Sequence, residues 1–248
     1  DANGDGKLDL FVTNYHHESN TLYIQQSNGF FQDESRKSGL RDPSFSMLGF
    51  GTQFLDVDLD GWEDLVVTNG HVDDFTHQGI PFQMQPQLFF NTGNAQFVEL
   101  PASQLGVFFQ GKWLGRGLAR LDWNRDGLDD FAVSHLDRPV ALMTNQTSDP
   151  GGFLRVSLRG TSGSRDAIGA TLTATIGNRV LVRQLTAGDG FLASNHRELV
   201  FGLGDSPSVD QLEVKWPTGQ RQAFAELQRN QHLLIIEGRE KPVTIYVP

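Results

Sequence analysis

Three copies of one acidic loop restrict what this chain can fold into more than any other feature. Loop 1 places Asp1, Asn3, Asp5, Gly6, Lys7 and Asp9 where loop 2 places Asp56, Asp58, Asp60, Gly61, Trp62 and Asp64. Loop 3 repeats the pattern with Asp122, Asn124, Asp126, Gly127, Leu128 and Asp130. Oxygen-bearing side chains stand at positions 1, 3, 5 and 9 of each copy, and glycine at position 6. Carboxylates and an amide carbonyl are hard oxygen ligands, position 7 can offer its backbone carbonyl, and glycine permits the sharp turn. The pattern reads as a Ca²⁺ loop. A single Asp-Gly turn would equally well join a hairpin, but three in register with similar flanks favour the cation.

The flanks exclude an EF-hand, which needs a bidentate Glu at position 12 and a helix on each side. Position 12 is Val12, Val67 and Val133. Short β-branched and aromatic runs follow the loops, and Gly51–Leu55 and Gly117–Leu121 precede two of them, so the unit is strand, loop, strand. Third strands are expected at 22–24, 88–90 and 140–143, and closing strands at 30–33 and 97–100. Four short strands in about sixty residues make one propeller blade. The expected fold is therefore all-β: a partial propeller of about three four-stranded blades over residues 1–148, its first blade truncated. A chain beginning inside a loop reads as the C-terminal part of a longer protein.

These loops and flanks resemble FG-GAP/VCBS repeats, the calcium-loop blades also found in integrin α chains. Val67-Thr-Asn-Gly-His71, Gly115-Arg-Gly-Leu-Ala119, Ser164-Arg-Asp-Ala-Ile-Gly-Ala170, Phe201-Gly-Leu-Gly204 and Val214-Lys-Trp-Pro-Thr-Gly219 are more specific. Together they resemble bacterial relatives of cartilage acidic protein, in which such repeats precede an ASPIC/UnbV domain. The resemblance implies an extracytoplasmic calcium-binding protein with no established catalytic activity.

The repeat stops near Gly151. Residues 154–158, 170–176, 180–182, 199–201, 212–216 and 233–236 alternate or run apolar at strand length, and Gly177-Asn178 suits a two-residue hairpin turn. The expectation is a small antiparallel β domain at 152–238, folding without calcium, and a C-terminal tail at 239–248.

Net charge is −10 and no basic stripe occurs, so nucleic acid is not an expected partner. No cysteine is present, which leaves calcium as the available staple. Loops of this kind bind at roughly 10⁻⁴–10⁻³ M in extracellular modules, so the expected setting is secreted, periplasmic or cell-surface. No membrane span is visible. No nucleophile elbow, P-loop or His-Glu-x-x-His motif is found, and the chain is not expected to be an enzyme. His16, His71, His135, Asp73 and Asp74 fall in the loops between second and third strands, where a rim could hold a ligand or a second metal. The leading reading is a calcium-binding adhesion module for a protein or glycan. The alternative is an accessory region of a secreted polysaccharide-acting enzyme whose catalytic part lies upstream.

Overall fold

The computed structural model describes residues 1–246. It is all-β, with five small sheets, the first three in a propeller-like arrangement. The first sheet holds β1 (Leu10–Val12), β2 (Thr21–Gln25) and β3 (Phe31–Asp33), in that order. The second holds β4 (Gly49–Leu55), β5 (Asp64–Asn69), β6 (Gln87–Asn91) and β7 (Phe97–Glu99). The third holds β8 (Gly115–Leu121), β9 (Asp130–His135) and β10 (Ala141–Met143). All neighbours in these sheets are antiparallel. The second sheet has the four strands expected of a blade. Among the described residues the first lacks a strand equivalent to β4, as expected of a truncated blade, and the third has none equivalent to β7.

Local chemistry explains the shared shape. All six residues of β5 are buried, because its two faces pack on different neighbours. Leu65 and Val67 join Leu22, Ile24, Phe89 and Phe97 on one side, while Val66 joins Leu55, Leu118, Phe131 and Val133 on the other. Both interblade cores thus run through one strand. The registers of β4 on β5 and of β8 on β9 shift at the same place, between Gly49 and Thr52 and between Gly115 and Leu118. Each shift marks a bulge, which bends the strand.

The C-terminal domain is two four-stranded sheets built from β11 (Gly152–Arg159), β12 (Thr171–Ile176), β13 (Arg179–Gln184), β14 (Glu198–Gly204), β15 (Ser208–Lys215), β16 (Arg221–Gln228), β17 (Gln231–Ile236) and β18 (Val243–Tyr246). Their orders are β14-β11-β17-β18 and β13-β12-β15-β16. The sheets enclose one core that includes Leu154, Leu172, Phe201, Leu212, Trp216 and Ile235. The hairpin turn falls at Gly177, with φ 59°.

Three details differ from the sequence reading. The domain is not wholly antiparallel, because β11 pairs with β17 in parallel. Residues 243–246, expected in a tail, form β18 on the edge of β17; the last two tail residues lie outside the described part. β16 was unforeseen because Arg-Gln-Ala-Phe-Ala-Glu-Leu-Gln has weak strand propensity and buries only Phe224 and Leu227.

Strand connectivity places the acidic loops at one end of the blades and the loops after β1, β5 and β9 at the other. The C-terminal domain covers the acidic end. A small apolar cluster joins the two parts: Leu59 from loop 2 and Leu128 from loop 3 pack with Phe153 and Val200. Phe153→Ala is expected to cost about 3–5 kcal/mol in urea unfolding. A loss within about 0.5 kcal/mol, the range of surface substitutions, would mean that this cluster does not hold the parts together.

Candidate metal centre

The three loops fold alike. Position 4 is left-handed in each, with φ 72° at Gly4, 60° at Leu59 and 63° at Arg125, and position 6 likewise, with φ 83°, 94° and 93° at Gly6, Gly61 and Gly127. These two turns draw the backbone around the acidic side chains. The carboxylate at position 1 accepts the N–H of position 6 at 2.9, 2.8 and 3.1 Å. Position 3 accepts from position 5, and position 5 from position 7.

Position 9 does a second job. One oxygen of Asp9, Asp64 and Asp130 accepts the N–H of position 2 in its own loop. The other accepts the N–H of Gln25, Asn91 or Asn145, just where the third strand ends. The last aspartate therefore ties each loop to its blade. Asn91 and Asn145 also link blades: their side-chain amides donate to the carbonyls of Ala2 and Val57, each at position 2 of the preceding loop. Sequence reading missed this pair. The signal was present, because Asn91-Thr-Gly93 and Asn145-Gln-Thr147 make the same side-chain turn two residues on.

Loop 2 is the most complete centre. Asp56, Asp58 and Asp64 bring carboxylate oxygens within 4.8 Å of one another, the one such acidic or histidine cluster among the described residues. Asp56 is 4 % exposed, and its Oδ1 is buried without a hydrogen-bond partner. An ionised oxygen in that position has no direct hydrogen-bond or ion-pair partner. A hard cation bound there would supply one, and the donor set suits Ca²⁺: carboxylates of Asp56, Asp58, Asp60 and Asp64, with the carbonyl of Trp62 at position 7.

The C-terminal domain closes over these loops. Gly202 packs directly on Asp56, and any Cβ there would run into Asp56 Oδ2. Gly151 and Gly204 donate backbone N–H groups to the carbonyls of Asp58 and Leu59, both at 2.8 Å. Arg179 Nη1 donates to the carbonyl of Asp60 at 2.7 Å, and its guanidinium lies 4.9 Å above the ring of Trp62. Arg183 Nε sits 3.1 Å from Glu63 at position 8 of loop 2. Arg155 binds Asp129, the matching position of loop 3, at 3.0 Å. The domain thus has its own core but is sewn to loops 2 and 3 by charge.

Two stretches of the chain match known families. Residues 1–67 match the family described as FG-GAP-like repeat, and residues 160–242 that described as ASPIC and UnbV. The chain is an FG-GAP repeat protein with a C-terminal ASPIC/UnbV domain. No curated protein matches it.

At the other end of the FG-GAP blades the expected rim divides. His16 and His71 come together, with ring centres 5.9 Å apart, and the ring of His17, in the same loop as His16, lies 3.9 Å from that of His16. His135 stands apart: it packs on Trp113 and Phe108, and its Nδ1 is 3.0 Å from the carbonyl of Pro139. His71 is 1 % exposed, its Nδ1 accepts the N–H of Asp73 at 3.2 Å, and its carbonyl accepts from Arg116. Those bonds shape a turn. Asp73 is exposed, and Asp74 caps Thr76. Beside the histidines runs a groove of about 470 Å³, whose lining includes His16, His17, Gln78, Gln85 and Lys112. Among the described residues no helix is long and apolar enough to cross a membrane.

Burial dominates the electrostatics of the loops. It raises Asp64 to about 8, against hydrogen bonds from Asn91 and Val57. It holds Asp56 well above the usual carboxylate range, with Asp60 pushing the same way, and it also raises Asp60, Asp122 and Asp130. Glu63 goes the other way: burial opposes ionisation, but Arg183 foremost among nearby positive charges lowers it. An acid whose pKa is raised on folding binds its proton more tightly folded than unfolded. Its contribution is complete below the unfolded pKa and is lost as pH rises through the folded value. In chelator, the melting temperature is therefore expected to fall as pH rises from the unfolded value of 3.8 to about 8 and to level off above it, and Asp64→Asn should flatten that slope. An Asp64→Asn protein with an unchanged slope would contradict a buried, protonated Asp64.

Proposed function

We propose that this chain is a non-catalytic binding or adhesion module of the extracytoplasmic space, whose blades are held in shape by Ca²⁺ in the acidic loops. The observation that carries the calcium reading is the buried, unpartnered Oδ1 of Asp56, a residue whose carboxylate clusters with those of Asp58 and Asp64. FG-GAP repeats commonly bind calcium, and a cation here would balance carboxylates that the ASPIC/UnbV domain shields from water. Loops 1 and 3 share the backbone course of loop 2, so Asp1, Asn3, Asp5, Asp9 and the Lys7 carbonyl, or Asp122, Asn124, Asp126, Asp130 and the Leu128 carbonyl, would serve alike. Loops that bind weakly would fill where calcium is abundant, which supports a setting outside the cytoplasm.

The binding surface in this reading is the end opposite the loops, where Tyr15, His16, His17 and the groove face solvent. Its partner is a protein or a glycan, since amides, imidazoles and an exposed aromatic ring suit polar, ring-shaped or peptide ligands. A screen of the protein on immobilised glycans tests this. Binding lost in His16→Ala with the fold intact supports the rim, and binding that survives it places the ligand elsewhere.

Calcium at one hundred times its dissociation constant is expected to add about 2.7 kcal/mol of unfolding free energy. Asp58→Ala should abolish the loop 2 share. Asp60→Asn should keep more of it, because an amide oxygen can still coordinate. Identical melting in calcium and in excess chelator would remove the basis for this function.

A further inference from the structure

We infer that Arg155 is a built-in counter-ion of loop 3, and that it makes loop 3 a weaker calcium site than loop 2. This rests on the calcium reading above but concerns a residue outside the loop pattern. Arg155 lies on β11 of the ASPIC/UnbV domain and is 3 % exposed. Its Nη2 stands 3.3 Å from Asp122 Oδ2, the carboxylate at position 1 of loop 3, and 3.0 Å from Asp129 Oδ1. The same nitrogen donates to the carbonyl of Gly127 at 3.3 Å. Nη1 is held by Glu198 Oε2 at 3.1 Å. One guanidinium thus spans the first ligand, the turn and position 8 of the loop.

Loop 2 has no such contact. Its position-1 carboxylate packs on Gly202, while Arg183 pairs directly with Glu63 at position 8 and acts on Asp56 only from farther off. The difference shows in the carboxylates themselves. Asp56 keeps an oxygen without a partner, whereas Asp122 shares one with Arg155. Loop 2 also gathers three carboxylates within 4.8 Å, and loop 3 does not. A fixed positive charge beside a ligand carboxylate repels a divalent cation and competes for its oxygen, more strongly where both are buried. By linkage, calcium entering loop 3 must in turn weaken the hold of Arg155, and with it one of the clasps between the two domains. Loop 2 then serves as the structural site, and loop 3 as the site that calcium concentration sets.

Trp123 stands at position 2 of loop 3 and can sensitise Tb³⁺ luminescence from that loop. Trp62 lies in loop 2 and contacts loop 1 at Gly4, so Trp62→Phe silences those two. Tb³⁺ titrations with calcium competition on Trp62→Phe are compared with Trp62→Phe/Arg155→Gln, Trp62→Phe/Arg155→Lys and Trp62→Phe/Glu198→Gln. Loss of the charge in Arg155→Gln is expected to tighten calcium at loop 3 by about fivefold or more, within the usual range of coupling between sites. Arg155→Lys, which keeps the charge, should stay near the parent. Glu198→Gln should loosen calcium, because it removes a nearby negative charge and frees Arg155 to lean on Asp122. Should Arg155→Gln fail to fold, Glu198→Gln decides by that sign. Binding that is unchanged or weaker in a folded Arg155→Gln protein overturns the inference and leaves the calcium reading standing. Absence of binding by Tb³⁺ and Ca²⁺ to any loop of the unaltered protein overturns both.

Discussion

Each acidic loop is closed by an aspartate that accepts two backbone N–H groups, one from the loop itself and one from the end of the third strand. Everything else about the blades follows from that bond pair. It fixes where the strand after the loop begins and how it meets the third strand. Asn91 and Asn145 then carry the geometry to the next loop, so that the row of loops is hydrogen-bonded in series. The strands bury their apolar faces between blades, but the loops decide the spacing at which those faces meet.

The same carboxylates pose a problem that the second domain both sharpens, by burying them, and answers. Grouping acids in a turn is tolerable in water and costly when buried without a counter-charge. The ASPIC/UnbV domain buries them. It brings glycines where the approach is closest, at Gly151, Gly202 and Gly204, and arginines where charge needs an answer, at Arg155, Arg179 and Arg183. Two of the arginines meet the acid at position 8, Glu63 or Asp129, a position outside the ligand set. Loop 1 carries Leu8 there, and none of these three arginines forms an ion pair with it. Domain docking and the proposed cation binding would therefore draw on the same few residues without using the same atoms, except at Arg155 and Asp122.

Much of this was legible in the sequence, and the parts that were not share a cause. Periodic oxygen ligands, Gly at position 6 and β-branched runs announce the loops and strands because each is a local rule. The hairpin at Gly177 is equally local. By contrast, the parallel pairing of β11 with β17 joins segments far apart in the chain, and no pattern in either segment encodes its partner. β16 and β18 lie at sheet edges, where neighbouring strands, not residue propensity, select the conformation. Nothing in the strands that carry Arg155, Arg179 and Arg183 sets them apart from ordinary surface charges. Only the docked arrangement reveals that Arg155 is buried against four groups. At the rim, spacing put His16, His71 and His135 in equivalent loops: His16 and His71 come together with His17 beside them, but His135 turns to Trp113.

A cation in loop 2 is what the proposed function depends on most. A crystal of the full chain grown in calcium, measured at a wavelength where calcium scatters anomalously, tests it directly. The account predicts an anomalous peak among Asp56, Asp58, Asp60, Asp64 and the Trp62 carbonyl, with Asp56 Oδ1 among the ligands at about 2.3–2.6 Å. A loop 2 without a peak at saturating calcium, with Asp56 Oδ1 bonded to protein or water, would contradict it.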